Sequence, residues 1–295
     1  MNLIPKLLKQ KFRVSVFIQE NGKPFGNAVE YIRGDLLKPV SFERKIKSVD
    51  VIIHCAGMVN INYSVAHPRE VLQTNVAMLF NLLEVLRKKH QKPLVIFTST
   101  DRVYGKTKKK VADETVPTFP IEAYTASKIA GEMLLHMYQN LYGIPYVILR
   151  VDTMYGPHQP EKMFVGSMIR SVLTEHIARV GKLDVYKNFV YVGDVADAII
   201  ASVKSPRHAW NSIINIGGAY ISLRDFVSTL CRLISKQIGA DIRIVFDPKL
   251  VRSSVIELTP FKLSVAKARR VLGWQPRTSL IQSLSETVRW FLHEY

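Results

Sequence analysis

Cysteine, acid and long apolar runs are all scarce in this sequence. The two cysteines, Cys55 and Cys231, lie far apart and belong to no Cys-x-x-Cys or Cys/His pattern. That excludes a disulfide-stapled scaffold and a zinc ribbon, and implies free thiols in a reducing compartment, the cytoplasm. No apolar run approaches the roughly 18 residues of a membrane helix. The first apolar stretch is broken by Lys6, Lys9 and Lys11, so no secretory leader is expected either. Acidic residues number 24 against 41 Lys and Arg, a net charge of +17. The excess base is spread along the chain, with one dense run at Lys106–Lys110, and no helix-turn-helix, zinc-finger or RNA-binding motif accompanies it. The charge therefore suits an anionic small substrate better than a nucleic acid. Glycine is missing from the start, the first being Gly22, so no glycine-rich phosphate-binding turn opens the chain. No His/Asp/Glu cluster surrounds His54, which reads as a satisfied core histidine rather than a metal ligand.

What is present alternates. Arg13–Gln19, Val49–Gly57 and Pro93–Thr100 are apolar runs, and the VEYIRGDL segment ending near Gly34 and Ile144–Val151 read as further strands. Continuous runs of this kind fit strands buried on both faces of a parallel sheet. Glu70–Lys89 and Glu122–Tyr142 have helical periodicity, and the Met and aromatic residues of Met133–Tyr142 read as core. Strand–helix alternation predicts an α/β fold, a doubly wound parallel sheet. After Val151 the elements shorten and turn residues increase, which predicts a smaller C-terminal substrate lobe. The expected division is 1–152 and 153–295, with about 188–216 and the C-terminal helix near Leu280–His293 returning to the first domain.

The chemistry centres on EAYTASKIAGE at Glu122–Glu132. Tyr124 and Lys128 stand at i and i+4, on one helix face. An ammonium beside a phenol favours the phenolate and lowers its pKa, which would equip Tyr124 as an acid/base towards a hydroxyl. Thr98, Ser99 and Thr100 end a strand, the edge where open α/β sheets bind ligands. Taken alone, the pair reads first as an exposed helix pair; its place after a hydroxyl-ended strand gives the catalytic reading weight.

RGDL (Arg33–Leu36), DVIIHCAG (Asp50–Gly57), NVAMLFNLLE (Asn75–Glu84), STDRVYG (Ser99–Gly105), AYTASKIAGE, LRVDTMYGP (Leu149–Pro157), YVGDVADAI (Tyr191–Ile199) and ARRVLGWQP follow in order. In this set the chain resembles the extended short-chain dehydrogenases/reductases, in the branch of sugar-nucleotide epimerases and dehydratases. The resemblance implies a Rossmann-like domain binding NAD or NADP, NAD slightly favoured, and a nucleotide-sugar or other small-molecule substrate; a homodimer is an option. It implies Tyr124 as acid/base, Lys128 as its tuner and ribose ligand, and Thr100 as the hydroxyl that bonds the reacting group. It further implies cofactor contacts at Asp35, Leu36, Ala56, Gly57, Asn75 and Ser99. Asp35 would accept from the adenine amino group, and Asn75 would brace the sheet; a turn acid and an interior helix amide are the plainer readings. Asp101, Thr153, Lys187 and Arg252 are the expected substrate contacts.

The departures matter as much. LIPKLLKQKFRVSVF resembles the family's first helix and second strand, so the first strand and its Gly-x-x-Gly-x-x-Gly turn are missing ahead of it. The expectation is a truncated reading of a complete protein, with a gap between two halves of the sheet. Ile18 and Gln19 stand where NAD-preferring relatives usually end the second strand with Asp. Arg102 stands where the dehydratase pattern has its Glu base, which argues against 4,6-dehydration, while Asp101 keeps a dehydratase-like acid. The expected function is an NAD(P)-dependent nucleotide-sugar epimerase or related oxidoreductase. A reductase of the hydroxysteroid or flavonoid type is the alternative enzyme, and a non-catalytic binding or regulatory homologue the alternative of another class.

Overall fold

A computed structural model describes residues 1–294 except 25, 27, 28, 252, 254 and 255. The chain runs through α1 (Leu3–Lys9), β1 (Ser15–Ile18), β2 (Glu30–Arg33), β3 (Val51–His54), α2 (Ile61–Ala66), α3 (Pro68–Lys88) and β4 (Leu94–Thr100). It continues through β5 (Val111–Ala112), α4 (Ala123–Tyr142), β6 (Tyr146–Val151), β7 (Met154–Tyr155), α5 (Phe164–Glu175), β8 (Ile177–Val180), β9 (Tyr186–Tyr191) and α6 (Val192–Val203). Then come β10 (Ser212–Ile216), β11 (Ala219–Ser222), α7 (Leu223–Ile238), β12 (Arg243–Phe246), β13 (Lys262–Leu263), α8 (Ala266–Leu272) and α9 (Leu280–Glu294).

The main sheet is four-stranded in the order β10-β6-β4-β3, parallel throughout. Side chains alternate across a strand, and β4 shows the consequence. Leu94 and Ile96 enter one core with Val147, Leu149, Ile199 and Trp274. Val95 and Phe97 enter the other with Leu79, Leu83, Leu135 and Tyr138. Helices α3 and α4 thus cover one face, and α6 and α8 the other, as the doubly wound reading expects. Gly131 lets α4 approach closely, since a Cβ there would stand 2.8 Å from Cζ of Phe97. Strands β1 and β2 form a separate parallel pair, Ser15 opposite Glu30 through Ile18 opposite Arg33. Among the described residues no ladder joins this pair to β3, which matches the expected gap between the halves.

Beyond Val151 a second lobe packs on its own core. Phe189 and Phe226 stack at 3.9 Å between ring centroids, surrounded by residues of α5, α7 and α9. Strand β10 and helix α6 do return to the main sheet. The C-terminal helix does not: Leu284, Val288 and Phe291 of α9 enter the second core with α7, while α8 and Trp274 cover the sheet. Strand β9 pairs in the second lobe, antiparallel to β11 and parallel to β7, while its Val190 enters the core of the main sheet. The Met133–Tyr142 segment needs a correction too. Leu135 and Tyr138 are core, but Met133 is 53% and Leu141 65% exposed. Two opposite faces of one helix share the same apolar periodicity.

Candidate active site

The site begins with one polar stripe on α4. Tyr124, Lys128 and Glu132 follow at four-residue intervals on the face turned to the sheet, and all three are buried. Glu122 caps the helix. Its carboxylate accepts from the backbone N–H groups of Tyr124 at 2.7 Å and Thr125 at 3.1 Å and from the Ser64 hydroxyl at 2.7 Å. The cap fixes the first turn, and with it the start of the Tyr124 side chain. Lower down, Glu132 forms a buried ion pair with Arg150 of β6 at 2.7 Å and accepts from the Ser99 hydroxyl at 2.6 Å. Tyr104 lies under the Arg150 guanidinium at 4.9 Å. This cluster locks α4 to β4 and β6 beneath the site. The Ser99 side chain, expected at the cofactor, is committed to this lock instead.

Thr100 ends β4. Its hydroxyl accepts from the Arg102 N–H at 3.3 Å and donates to Asp101 Oδ1 at 3.3 Å, and it stands beside the Tyr124 phenol, whose ionised form it favours. Thr100 and Tyr124 thus stand together, with Asp101 next to them. Lys128 lies beside them but does not act on the phenol in the expected way. Its Nζ donates to Thr98 O at 2.8 Å and lies 5.9 Å from the Tyr124 ring centroid. Burial pushes the Tyr124 phenol up to about 12, not down. Burial also lowers the Lys128 ammonium to about 8. Desolvation outweighs the ammonium because it disfavours both charged forms at once.

Around this centre, Ala56 is exposed and Gly57 half-buried in the loop after β3. Asn75 ties that loop down: Oδ1 accepts from Met58 N at 2.7 Å, and Nδ2 donates to Met58 O at 3.1 Å and to Ser127 Oγ at 2.9 Å. Asn75 therefore has the bracing geometry. A Cβ on Gly57 would come to 3.4 Å from Asn75 Oδ1 and 3.7 Å from Lys128 Nζ, so its absence keeps space open beside the amine. Asp35 forms a turn, accepting from Leu37 N at 2.9 Å, which is the plainer reading. The Leu36 carbonyl accepts from Asn81 Nδ2 at 2.8 Å. Thr153 is exposed, its N–H donating to Asp152 Oδ1 at 2.5 Å. Lys187 pairs with Glu257 at 2.9 Å, and its charge reaches Asp101. Arg252 lies outside the described residues. His54 is buried and stacked on Phe97 at 5.8 Å; burial lowers its imidazole to about 3, so it is neutral core. Among the described residues no His/Cys/Asp/Glu group could hold a metal.

One residue escaped the sequence reading. Asp152 follows β6 directly, is 5% exposed, and its Oδ2 is buried without a hydrogen-bond partner. Its only signal was a carboxylate directly after an apolar strand, in LRVD.

A doubly wound sheet with a tyrosine, a lysine and a threonine gathered at its carboxyl edge puts the chain in the Rossmann-like α/β class. The model of the NAD dependent epimerase/dehydratase family matches residues 1–217, and the chain belongs to that family. It is 29% identical over 301 residues to a putative UDP-glucose 4-epimerase of Methanocaldococcus jannaschii, covering 98% of this chain and 93% of that one. It is 31% identical over 252 residues to an uncharacterized UDP-glucose epimerase of Bacillus subtilis, covering 85% of this chain and 77% of that one. The crystal structure of a Thermotoga maritima UDP-glucose 4-epimerase with UDP-glucose superposes with a TM-score of 0.87 at 26% identity, over 99% of this chain and 94% of that one.

Proposed function

We propose that the protein is a nucleotide-sugar epimerase that works on a hydroxyl-bearing sugar carbon, with UDP-hexoses as the substrate class. The observation that carries this reading is the meeting of Tyr124, Thr100 and Lys128 at the carboxyl end of β4. The UDP-sugars named for the relatives support the uridine diphosphate, and Lys187 offers a cation for it. Lys128 uses one of its three donors on Thr98 O, which leaves two for a nicotinamide ribose beside Gly57. The residues fit that end of an NAD or NADP, and Asp35 and Leu36 would face its adenosine. Such a cofactor, when bound, supplies hydride acceptance and return at the sugar carbon. Tyr124 exchanges the proton of the reacting hydroxyl, Thr100 holds the phenol in line, and Asn75 keeps the loop at Met58 in place. Thr153, exposed at the start of the crossing to β7, and Asp101 border the sugar.

The pair of free cysteines is in keeping with work in the cytoplasm, and no helix of the described residues is long and apolar enough to cross a membrane. A homodimer is supported by exposed apolar side chains on two helices that pack together. Met133, Met137 and Leu141 are exposed on α4, and Leu72 and Phe80 on α3; clustered exposed apolar side chains mark protein contacts.

The test is turnover of UDP-glucose, UDP-galactose and UDP-glucuronate with added NAD or NADP, followed by chromatography of the products. Tyr124→Phe should lose roughly 100- to 10,000-fold in rate while it keeps its fold. Wild-type rates in that variant would remove Tyr124 from the chemistry.

A further inference from the structure

We infer that the free edge of β12 is a self-association surface: β12 pairs antiparallel with β12 of a second copy, about a two-fold axis at Val245. This contact is separate from the exposed side chains of α3 and α4 and independent of the epimerase reading.

Strand β12 has the sequence RIVF, three strong strand formers after one arginine. It is joined to β8, in parallel, with Ile244 opposite Ala178 and Phe246 opposite Val180. Among the described residues nothing pairs with its other edge. The strand is open to solvent: Ile244 is 41%, Val245 36% and Phe246 61% exposed. It has no proline, lysine or glycine to blunt it. Bare apolar edges of this kind take up another strand.

The backbone decides which groups are on offer. The Arg243 N–H donates to His176 O at 3.1 Å and the Asp247 N–H to Val180 O at 2.8 Å. Successive residues of a strand turn their N–H and C=O to opposite edges. Arg243, Val245 and Asp247 therefore face β8, and Ile244 and Phe246 offer their groups to the free edge. The two sets also take opposite faces. Ile244 and Phe246 lie on the side of Ala178 and Val180, where they line a cavity of about 550 Å³ with Val180, Leu183, Arg224 and Ser228. Val245 lies on the other side, with Arg179.

Self-pairing must set the outward groups against each other, which leaves registers two residues apart. Ile244 against Ile244 sets Asp241 against Asp247, like charges directly opposite. Phe246 against Phe246 sets Ile244 against Pro248, which has no N–H, and Arg243 against Lys249. Ile244 against Phe246 has neither fault. It places Val245 on the two-fold axis, and Arg243 of each copy opposite Asp247 of the other. Ile244 and Phe246 then exchange both backbone bonds, and the symmetry repeats the exchange. The basic neighbours Arg179 and Arg224 are matched within the chain, to Glu175 and to Asp184; Arg243 is matched across the axis. A second copy is the occupant because β12 supplies both halves of this charge pattern itself. One short strand is small beside the roughly 800 Å² per partner of a standard interface. The pairing is therefore weak, below what light scattering reads at micromolar protein, and is caught covalently.

The test is disulfide trapping in the full chain, in a Cys55→Ser background so that the exposed native thiol is silent. Opposite residues of a non-hydrogen-bonded antiparallel pair have Cα atoms about 4.5 Å apart, within the reach of a disulfide. Under mild oxidation Val245→Cys should form a covalent dimer on the order of tenfold faster than Lys249→Cys, an exposed position off the axis. Adding Arg243→Asp sets like charges opposite each other at both ends and should slow linking on the order of tenfold. Adding Asp247→Arg to that protein restores opposite signs and should recover most of the rate. Ile244→Pro removes an outward N–H and keeps the bonds to β8, as proline on an edge strand does; it should slow linking while the melting temperature holds. Val245→Cys linking no faster than Lys249→Cys, or a charge swap that restores nothing, would overturn the pairing. A foreign strand recovered on β12 while Val245→Cys stays unlinked would overturn it too.

Discussion

Replacing Lys128 with methionine should make the protein more stable at neutral pH, although it removes a residue of the proposed site. Lys128 is 4% exposed, and burial lowers its ammonium from the ordinary 10.5 to about 8. At about 1.36 kcal/mol per pH unit, that difference means about 3 kcal/mol of destabilisation while the lysine is charged. The sign follows from proton counting. Between pH 8 and 10.5 the unfolded chain binds the proton and the folded chain does not, so stability rises with pH across that window. It is lost again as pH falls through 8. Methionine fills a similar volume and has no proton to bind, but it forfeits the bond to Thr98 O, worth about 1 kcal/mol. The net gain at pH 7 is therefore about 2 kcal/mol, or roughly 4 °C in melting temperature for a protein of this size. The assay is denaturant unfolding of both proteins at pH 7 and pH 10, with the difference taken at each pH so that other titrations cancel. The advantage should shrink by most of its size at pH 10. A Met variant less stable than wild type at pH 7, or a difference independent of pH, would refute the reasoning.

Glu132→Ala should cost about 3–5 kcal/mol, because it leaves the Arg150 guanidinium buried without its carboxylate; thermal unfolding reads it directly. Gly131→Val should cost about 1–3 kcal/mol by overpacking α4 against Phe97, and a crystal structure should show the helix pushed off β4. Met137→Glu should convert any dimer to monomer in light scattering while unfolding of the isolated chain stays within about 0.5 kcal/mol, as for other surface changes.

The main sheet was legible because β4 and β6 are covered on both faces, so Leu94–Phe97 and Tyr146–Leu149 are unbroken apolar runs. The Tyr124–Lys128 pair was legible for the same local reason, a four-residue helical interval. Glu132 continues that interval, but its meaning depends on Arg150, which arrives from a strand 18 residues later. Asp152 was hidden because nothing local marks a carboxylate as buried; its neighbour Asp101 comes from another strand. The rise of the Tyr124 pKa was also out of reach, since an adjacent lysine signals lowering and only the tertiary burial reverses it. The docking of α9 failed for a related reason: an amphipathic stripe states that a core receives it, not which of two.

The separate β1–β2 pair gives the molecule uneven local cooperativity. Its strands are only partly covered, held by the Phe17–Phe42 edge contact at 5.6 Å and the Arg33 guanidinium on Glu20 O and Gly22 O. Strands β4 and β6 are sealed on both sides. Amide hydrogens of Ser15–Ile18 and Glu30–Arg33 should therefore exchange with solvent through sub-global opening, long before those of Val95–Phe97. Asp35 and Leu36 stand at the end of that early-exchanging pair, and Tyr124 and Lys128 on the late-exchanging body. A dinucleotide that touched both would tie the fast half to the slow one. Its binding would carry an ordering entropy at the adenosine end and almost none at the nicotinamide end, so adenosine fragments should bind with the larger entropic penalty in calorimetry and should slow exchange at β1 and β2 first.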